Sequence, residues 1–148
     1  MEQHPGNLYL GTQGFSFKDW VGPFYPEGTP SRSYLEAYAR HFHTVEIDST
    51  FYSVPRATTI QGWYQRTPEN FQFAAKFPKL ITHEKKLDNA LGDAEAFVGS
   101  MQALREKLAV LTFQFAYDFK PENFDRLDGF LGSLSGDQRY AVEVRNRE

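Results

Sequence analysis

The side chains best suited to chemistry alternate with apolar neighbours in short runs. Glu46 and Asp48 alternate with Val45 and Ile47; the run around Lys76 is less clear, but Phe73 and Ala75 outward would put Lys76 inward. Thr112 and Gln114 alternate with Leu111 and Phe113, and Glu143 and Arg145 with Val142 and Val144. Successive side chains of a β-strand point to opposite faces. If the apolar set covers helices, the polar set shares the other face. Charges withdrawn from water are costly unless paired, so such a set either closes into a salt-bridge network that fixes the fold or binds something. In the second case, two carboxylates in different surroundings can divide acid and base work. Glu46 and Glu143 are the expected pair, and Lys76 is the third expected catalytic group. Arg145 would hold an anionic or carbonyl group. Asp48, His83, Gln114 and the aromatics Phe15, Trp20 and Tyr52 are the expected substrate contacts.

Other chemistries share these residues. A desolvated Lys76 near Arg145 could form a Schiff base, although a lysine beside carboxylates is more often an ion-pair partner. Glu46, Asp48, His83 and Glu143 are oxygen and nitrogen donors suited to a divalent metal, but no tight ligand spacing joins them, and no cofactor is required. Lys76, Lys79, His83, Lys85 and Lys86 form a basic stretch able to meet phosphates. A formal net charge of −3 weighs against that nucleic-acid reading. A small-molecule ligand is the favoured partner, and a non-catalytic binding module stays open beside the enzyme. His41 and His43 flank a predicted helix end, where a cation is favourable, and read as structural.

The elements that must position these groups alternate regularly. Strands are predicted at residues 8–11, 44–48, 71–77, 109–115 and 140–145. Helices are predicted at residues 31–42, 58–66 and 93–107, and from Pro121 onward with Phe124, Leu127, Phe130 and Leu131 as the buried stripe. Alternating strands and helices mean parallel pairing through crossovers. No Gly-x-Gly-x-x-Gly follows the first strand, so a dinucleotide-binding sheet lacks its main signal. In strand one the pattern does not decide between Tyr9 and Leu10 as the inward residue.

The chain of 148 residues reads as one domain, 1–148. Cysteine is absent, which excludes disulfides, thiolate metal sites and a cysteine nucleophile. No apolar run approaches a membrane span, and the polar residues 1–7 do not resemble a signal peptide, so a cytoplasmic location is the default expectation. Aromatics reach 16%, and many fall in loops: Phe15, Phe17, Trp20, Phe24 and Tyr25 after the first strand, Phe51 and Tyr52 after the second. Their ordinary role is to anchor loops. The alternative is an aromatic-lined pocket for a sugar, base or other flat ligand.

Six stretches carry a resemblance: Leu10-Gly-Thr-Gln-Gly-Phe15, Phe24-Tyr-Pro-Glu-Gly28, Glu46-Ile-Asp-Ser-Thr-Phe-Tyr52, Lys76-Phe-Pro78 with Ile81-Thr-His83, Thr112-Phe-Gln-Phe115, and Val142-Glu-Val-Arg-Asn146. In this order and spacing the chain resembles the domain-of-unknown-function 72 family, the YecE-like proteins. That resemblance implies a TIM-type (β/α)₈ barrel, of which the chain would hold the first five β/α units, with the site at the strand C-terminal ends. It implies no activity. Asp48 stands where family members often have Asn, and Ala116-Tyr117-Asp118 replaces a Pro-Pro pair. Five open strands would expose two edges, which dimerisation could cover.

Overall fold

A computed structural model of the chain describes residues 8–147; the polar segment 1–7 lies outside them. The five strands are β1 (Gly11–Gln13), β2 (Thr44–Ile47), β3 (Gln72–Lys76), β4 (Leu108–Gln114) and β5 (Tyr140–Glu143). They form one parallel sheet in chain order, β1-β2-β3-β4-β5. The connections carry the helices α1 (Tyr34–Ala39), α2 (Ala57–Gln65), α3 (Leu91–Met101) and α4 (Phe124–Ser133).

The alternation expected of β2, β3 and β4 is present. Val45, Ile47, Phe73, Ala75, Phe77, Leu111, Phe113 and Phe115 are all buried and merge with Leu35, Ile60, Trp63, Phe97 and Met101 from the helices into one core. Phe77 stacks on Phe113 with ring centroids 3.8 Å apart, and Phe130 meets Phe113 edge-on at 5.9 Å. The register of β3 against β4 shifts at Phe73/Ala74, so Ala74 pairs with Val110. This bulge sets the phase that turns Leu111 and Phe113 toward the helices and Thr112 and Gln114 away from them. The sheet margins are barely covered: Leu8 and Leu10, just before β1, are 93% and 70% exposed, and Val142 in β5 and Val144 just after it 40% and 42%.

Several boundaries differ from expectation, each for a local reason. β1 is not residues 8–11 but Gly11–Gln13, with Gly11 opposite Thr44 and Gln13 opposite Glu46. Its anchor is polar: the Thr12 amide donates to the Tyr38 hydroxyl at 2.8 Å, and that hydroxyl donates to the Thr44 carbonyl. Apolar content therefore pointed too early. The strand must also start on glycine, because a Cβ at Gly11 would stand 2.0 Å from the Thr44 carbonyl oxygen.

The helix expected at 31–42 begins as a 3₁₀ turn and is α-helical only to Ala39. The helix expected at 93–107 runs as α3 to Met101 and tightens to 3₁₀ as far as Lys107. Arg105 adopts φ 50 there, which turns the chain into β4. Lys107 is buried at that turn and donates to the carbonyls of Tyr64 and Thr67, each at 2.7 Å. It thereby caps the end of α2. Burial pushes its amine below the ordinary lysine value. In α4 only Phe130 is buried, whereas Phe124 is 49% exposed and so leaves the expected stripe. β5 ends at Glu143, with Arg145 just beyond it. Among the described residues no helix is long and apolar enough to cross a membrane.

Candidate functional site

The sheet has one face on the core and one that is more open. On the open face, two cavities lie at opposite ends of the strands. The lower one, about 670 Å³, is lined by Thr44, Gln72, Ala74, Val110 and other groups near the strand N-terminal ends. The upper one, about 370 Å³, is lined by Gln13, Asp48, Phe51, Tyr52, Lys76, His83, Gln114 and Arg145. All five strands contribute to the upper cavity, directly or through a residue within two positions of their C-terminal ends. It holds six of the ten expected site residues.

Lys76 is 7% exposed, and its ammonium meets the Glu46 carboxylate at 3.4 Å. Register explains this contact. Glu46 pairs with Ala74, so it lies one pleat below Lys76 and reaches up to it. Thr50 fixes the tops of both strands: its buried hydroxyl donates to the Lys76 carbonyl at 2.6 Å, with the Ile47 carbonyl 3.1 Å away. Arg145 Nε donates to Glu143 at 3.0 Å, with both side chains more than two-fifths exposed. Glu46 and Glu143 are thus not among the groups lining the cavity; each is paired with a cation that is. Asp48 differs, because its carboxylate makes no ion pair or hydrogen bond among the described residues.

Gln114 supplies a further unmatched group. It is 7% exposed, and its Oε1 is buried without a donor. A buried carbonyl oxygen left unpaired costs roughly 1–3 kcal/mol, so native structures seldom leave one without a reason. Gln114 sits opposite Glu143 and on the wall of the cavity.

His83 lies in a π-helical turn, Leu80–Glu84, whose geometry departs from the ordinary helix as functional turns often do. Lys86, Leu87 and Asn89, further along the same connection, all have positive φ, a concentration of strained backbone. The His83 Nδ1 pairs with the Thr82 hydroxyl at 2.7 Å, and its ring meets Phe51 edge-on. Burial lowers its pKa from the ordinary 6.5; nearby Asp118 opposes the shift, and Arg145, Lys79 and Lys86 reinforce it. The fold therefore favours the neutral ring. Its contribution to stability is complete above pH 6.5 and is lost as the pH falls below that value toward the lower folded pKa. The urea midpoint is accordingly expected to drop between pH 7.5 and pH 5.5, and His83→Gln to lessen the drop. An equal drop in both proteins would remove His83 as its source.

The loop aromatics divide between both roles considered for them. Trp20 packs against Phe17, Phe24 and Tyr25 and stacks on Tyr38, so it anchors the β1 loop to α1 and lines neither cavity. Phe15 lines a separate hollow, described below, while Phe51 and Tyr52 line the upper cavity. His41 packs on Phe24 and is remote from the cavity lining. The basic stretch is partly neutralised: Lys85 pairs with Asp93 at 2.6 Å, and Lys86 pairs with Asp118. The departure at 116–118 is accommodated, since the Tyr117 carbonyl accepts from Asn146 at 2.7 Å. Among the described residues no group of three or more His, Asp or Glu is placed to hold a metal ion.

Gln13 and Phe51 were not foreseen as site residues. With β1 at Gly11–Gln13 rather than at residues 8–11, Gln13 comes into register with Glu46. Phe51 follows Asp48 on the 3₁₀ turn Ser49–Phe51, a geometry that strand alternation does not anticipate.

A five-stranded all-parallel sheet with helices in its connections defines an α/β protein, with polar groups gathered at the strand C-terminal ends. The chain belongs to the family described as "Protein of unknown function DUF72", whose model matches residues 9–148. It is 33% identical over 139 residues to the UPF0759 protein YecE of Escherichia coli (strain K12), covering 94% of this chain and 48% of that one. With the UPF0759 protein YunF of Bacillus subtilis (strain 168) the identity is 34% over 148 residues, covering 95% and 51%. The chain thus spans about half the length of these curated relatives. Among solved structures it is similar to a DUF72 family protein (TM1631) from Thermotoga maritima MSB8, with TM-score 0.77, 31% identity and coverage of 93% and 55%. It is also similar to a DUF72 family protein (EF0366) from Enterococcus faecalis V583, with TM-score 0.75, 29% identity and coverage of 93% and 50%.

Proposed function

We propose that the upper cavity binds a small, hydroxyl-bearing, sugar-like molecule and performs acid/base chemistry on it, of the hydrolase or isomerase type. The observation that carries this reading is the buried, donor-less Oε1 of Gln114 on the cavity wall. It calls for a ligand O–H or N–H. Asp48, which has no partner among the described residues, is the proton acceptor. Lys76 is held in place by Glu46, and it stabilises negative charge that develops on a ligand oxygen. Glu143 plays the same positioning part for Arg145. His83, neutral near pH 7, exchanges a proton with the ligand through its ring. Tyr52 and Phe51 give a sugar ring an apolar wall.

A phosphorylated ligand fits less well, because both cations lining the cavity already carry a carboxylate partner. The pairing of Lys85 and Lys86 weighs against a nucleic-acid partner in the same way. We also read the five units as part of a TIM-type barrel and as one domain. Strand order follows chain order without the reversal that marks a doubly wound sheet, and the polar groups gather at the strand C-terminal ends, where barrel enzymes keep their sites.

Saturation-transfer NMR against methyl pyranosides tests this. At least one is expected to bind, and Gln114→Leu to abolish the signal. The same spectra report any conversion of the bound sugar, which Asp48→Asn is expected to stop. No binding by any pyranoside, or binding indifferent to Gln114→Leu, would contradict the reading.

A further inference from the structure

A third space, a hollow of about 420 Å³, shares a lining residue with the upper cavity. Its walls include Phe15, Phe17, Ile47 and Trp63. These are aromatic and aliphatic, whereas the upper cavity presents Lys76, Gln114, His83 and Arg145. Asp48 lines both spaces. It stands just past the end of β2, next to the buried Ile47. Gly14 stands at the same junction. A Cβ there would lie 3.1 Å from the Phe17 ring and 3.5 Å from Asp48 Oδ1, and its φ of +75 suits glycine. A side chain at Gly14 would thus crowd Phe17, a wall of the hollow, and approach Asp48, which lines both spaces. Trp63 keeps 9% of its surface exposed, and Phe17 keeps 40%.

Resting on the functional reading above, we infer that the site takes a two-part ligand. A hydroxylated ring occupies the Lys76/Gln114 cavity, and an apolar ring-sized substituent occupies the Phe15/Phe17/Trp63 hollow, with the linking atoms passing Asp48. The ligand class is an aryl or similarly apolar glycoside rather than a free sugar. Asp48, with its unpaired carboxylate, faces the link between the two parts. The hollow acts through hydrophobic burial, so it adds affinity in proportion to the apolar area it covers and adds no charge requirement.

Matched ligands test this on the intact chain: methyl β-D-glucopyranoside and phenyl β-D-glucopyranoside, titrated by NMR or calorimetry, together with the corresponding mannosides and galactosides. The phenyl member of a pair is expected to bind at least tenfold more tightly. Ser16→Trp, which fills the hollow from an exposed loop position, is expected to bring the two members within twofold of each other. Phe17→Ser, which removes one wall, is expected to narrow the gap in the same direction. Equal affinities for methyl and phenyl members, both abolished by Lys76→Met, would overturn the two-part ligand and leave the polar cavity standing. A phenyl preference untouched by both Ser16→Trp and Phe17→Ser would place the apolar part elsewhere and overturn it too. Failure of every glycoside to bind would overturn both this inference and the reading on which it rests.

Discussion

Replacing Lys76 by Met is expected to cost about 100-fold in affinity for a pyranoside that binds the upper cavity, with the fold intact. The magnitude follows from the chemistry lost, since a hydrogen bond from a charged group contributes roughly 1.5–3 kcal/mol, which is about 10- to 150-fold in binding. Methionine suits the test because it is close to lysine in length and stays apolar where Lys76 is 7% exposed. The partner left behind is tolerable. The Glu46 side chain is 35% exposed and can hydrate, so the variant does not strand a fully buried charge. Chemical-shift titration of the folded variant measures the change. A loss smaller than threefold would remove Lys76 from the site.

The second large effect is on stability. Phe113→Ala is expected to destabilise the chain by about 3–5 kcal/mol, the usual cost of hollowing a packed aromatic position. Phe113 is fully buried, with Phe77 stacked on one side and Phe115, Phe130 and Tyr140 around the remainder of its ring. Few positions offer less room for collapse. Against a total of about 5–15 kcal/mol this is a large fraction, and it corresponds to a fall in Tm on the order of 10 °C. Phe124→Ala on the exposed side of α4 serves as the comparison and is expected to cost under about 1 kcal/mol. Calorimetry of both variants decides the matter; equal losses would show that the burial pattern described here is wrong.

These two expectations differ in how far they could be read without a structure. Phe113 follows from alternation, because β4 is long enough for period two to be clear, whereas the pattern of β3 is less clear and Lys76 faces inward only if Phe73 and Ala75 cover the helices, as they do. The same logic failed at β1. There Leu8, Tyr9 and Leu10 looked like the strand, yet the pairing residues are Gly11, Thr12 and Gln13, held by the Tyr38 hydroxyl. A strand fixed by one polar anchor and a close backbone approach leaves no hydrophobic pattern to read. Gln13 was lost with it.

The roles of the carboxylates were legible only in part. Alternation puts Glu46, Asp48 and Glu143 on one face, but it carries no information on which of them finds a cation. Register decides that: Glu46 sits one pleat below Lys76 and reaches it, and Glu143 meets Arg145 two residues on. Asp48 is left unpaired, which moves the expected proton acceptor from the two glutamates to Asp48. Trp20 illustrates a different limit. Its loop position and its neighbours suited a pocket as well as an anchor, and only the stacking on Tyr38 separates the two.

The central claim is that ligand recognition occurs at the strand C-terminal ends between Lys76, Gln114 and Asp48. A crystal structure of the chain grown with a bound methyl or phenyl pyranoside measures this directly. The account predicts a sugar hydroxyl within hydrogen-bond distance of Gln114 Oε1 and a sugar oxygen on Lys76 Nζ. A sugar seated instead in the lower cavity among Thr44, Gln72 and Val110, with Gln114 still lacking a donor, would contradict it.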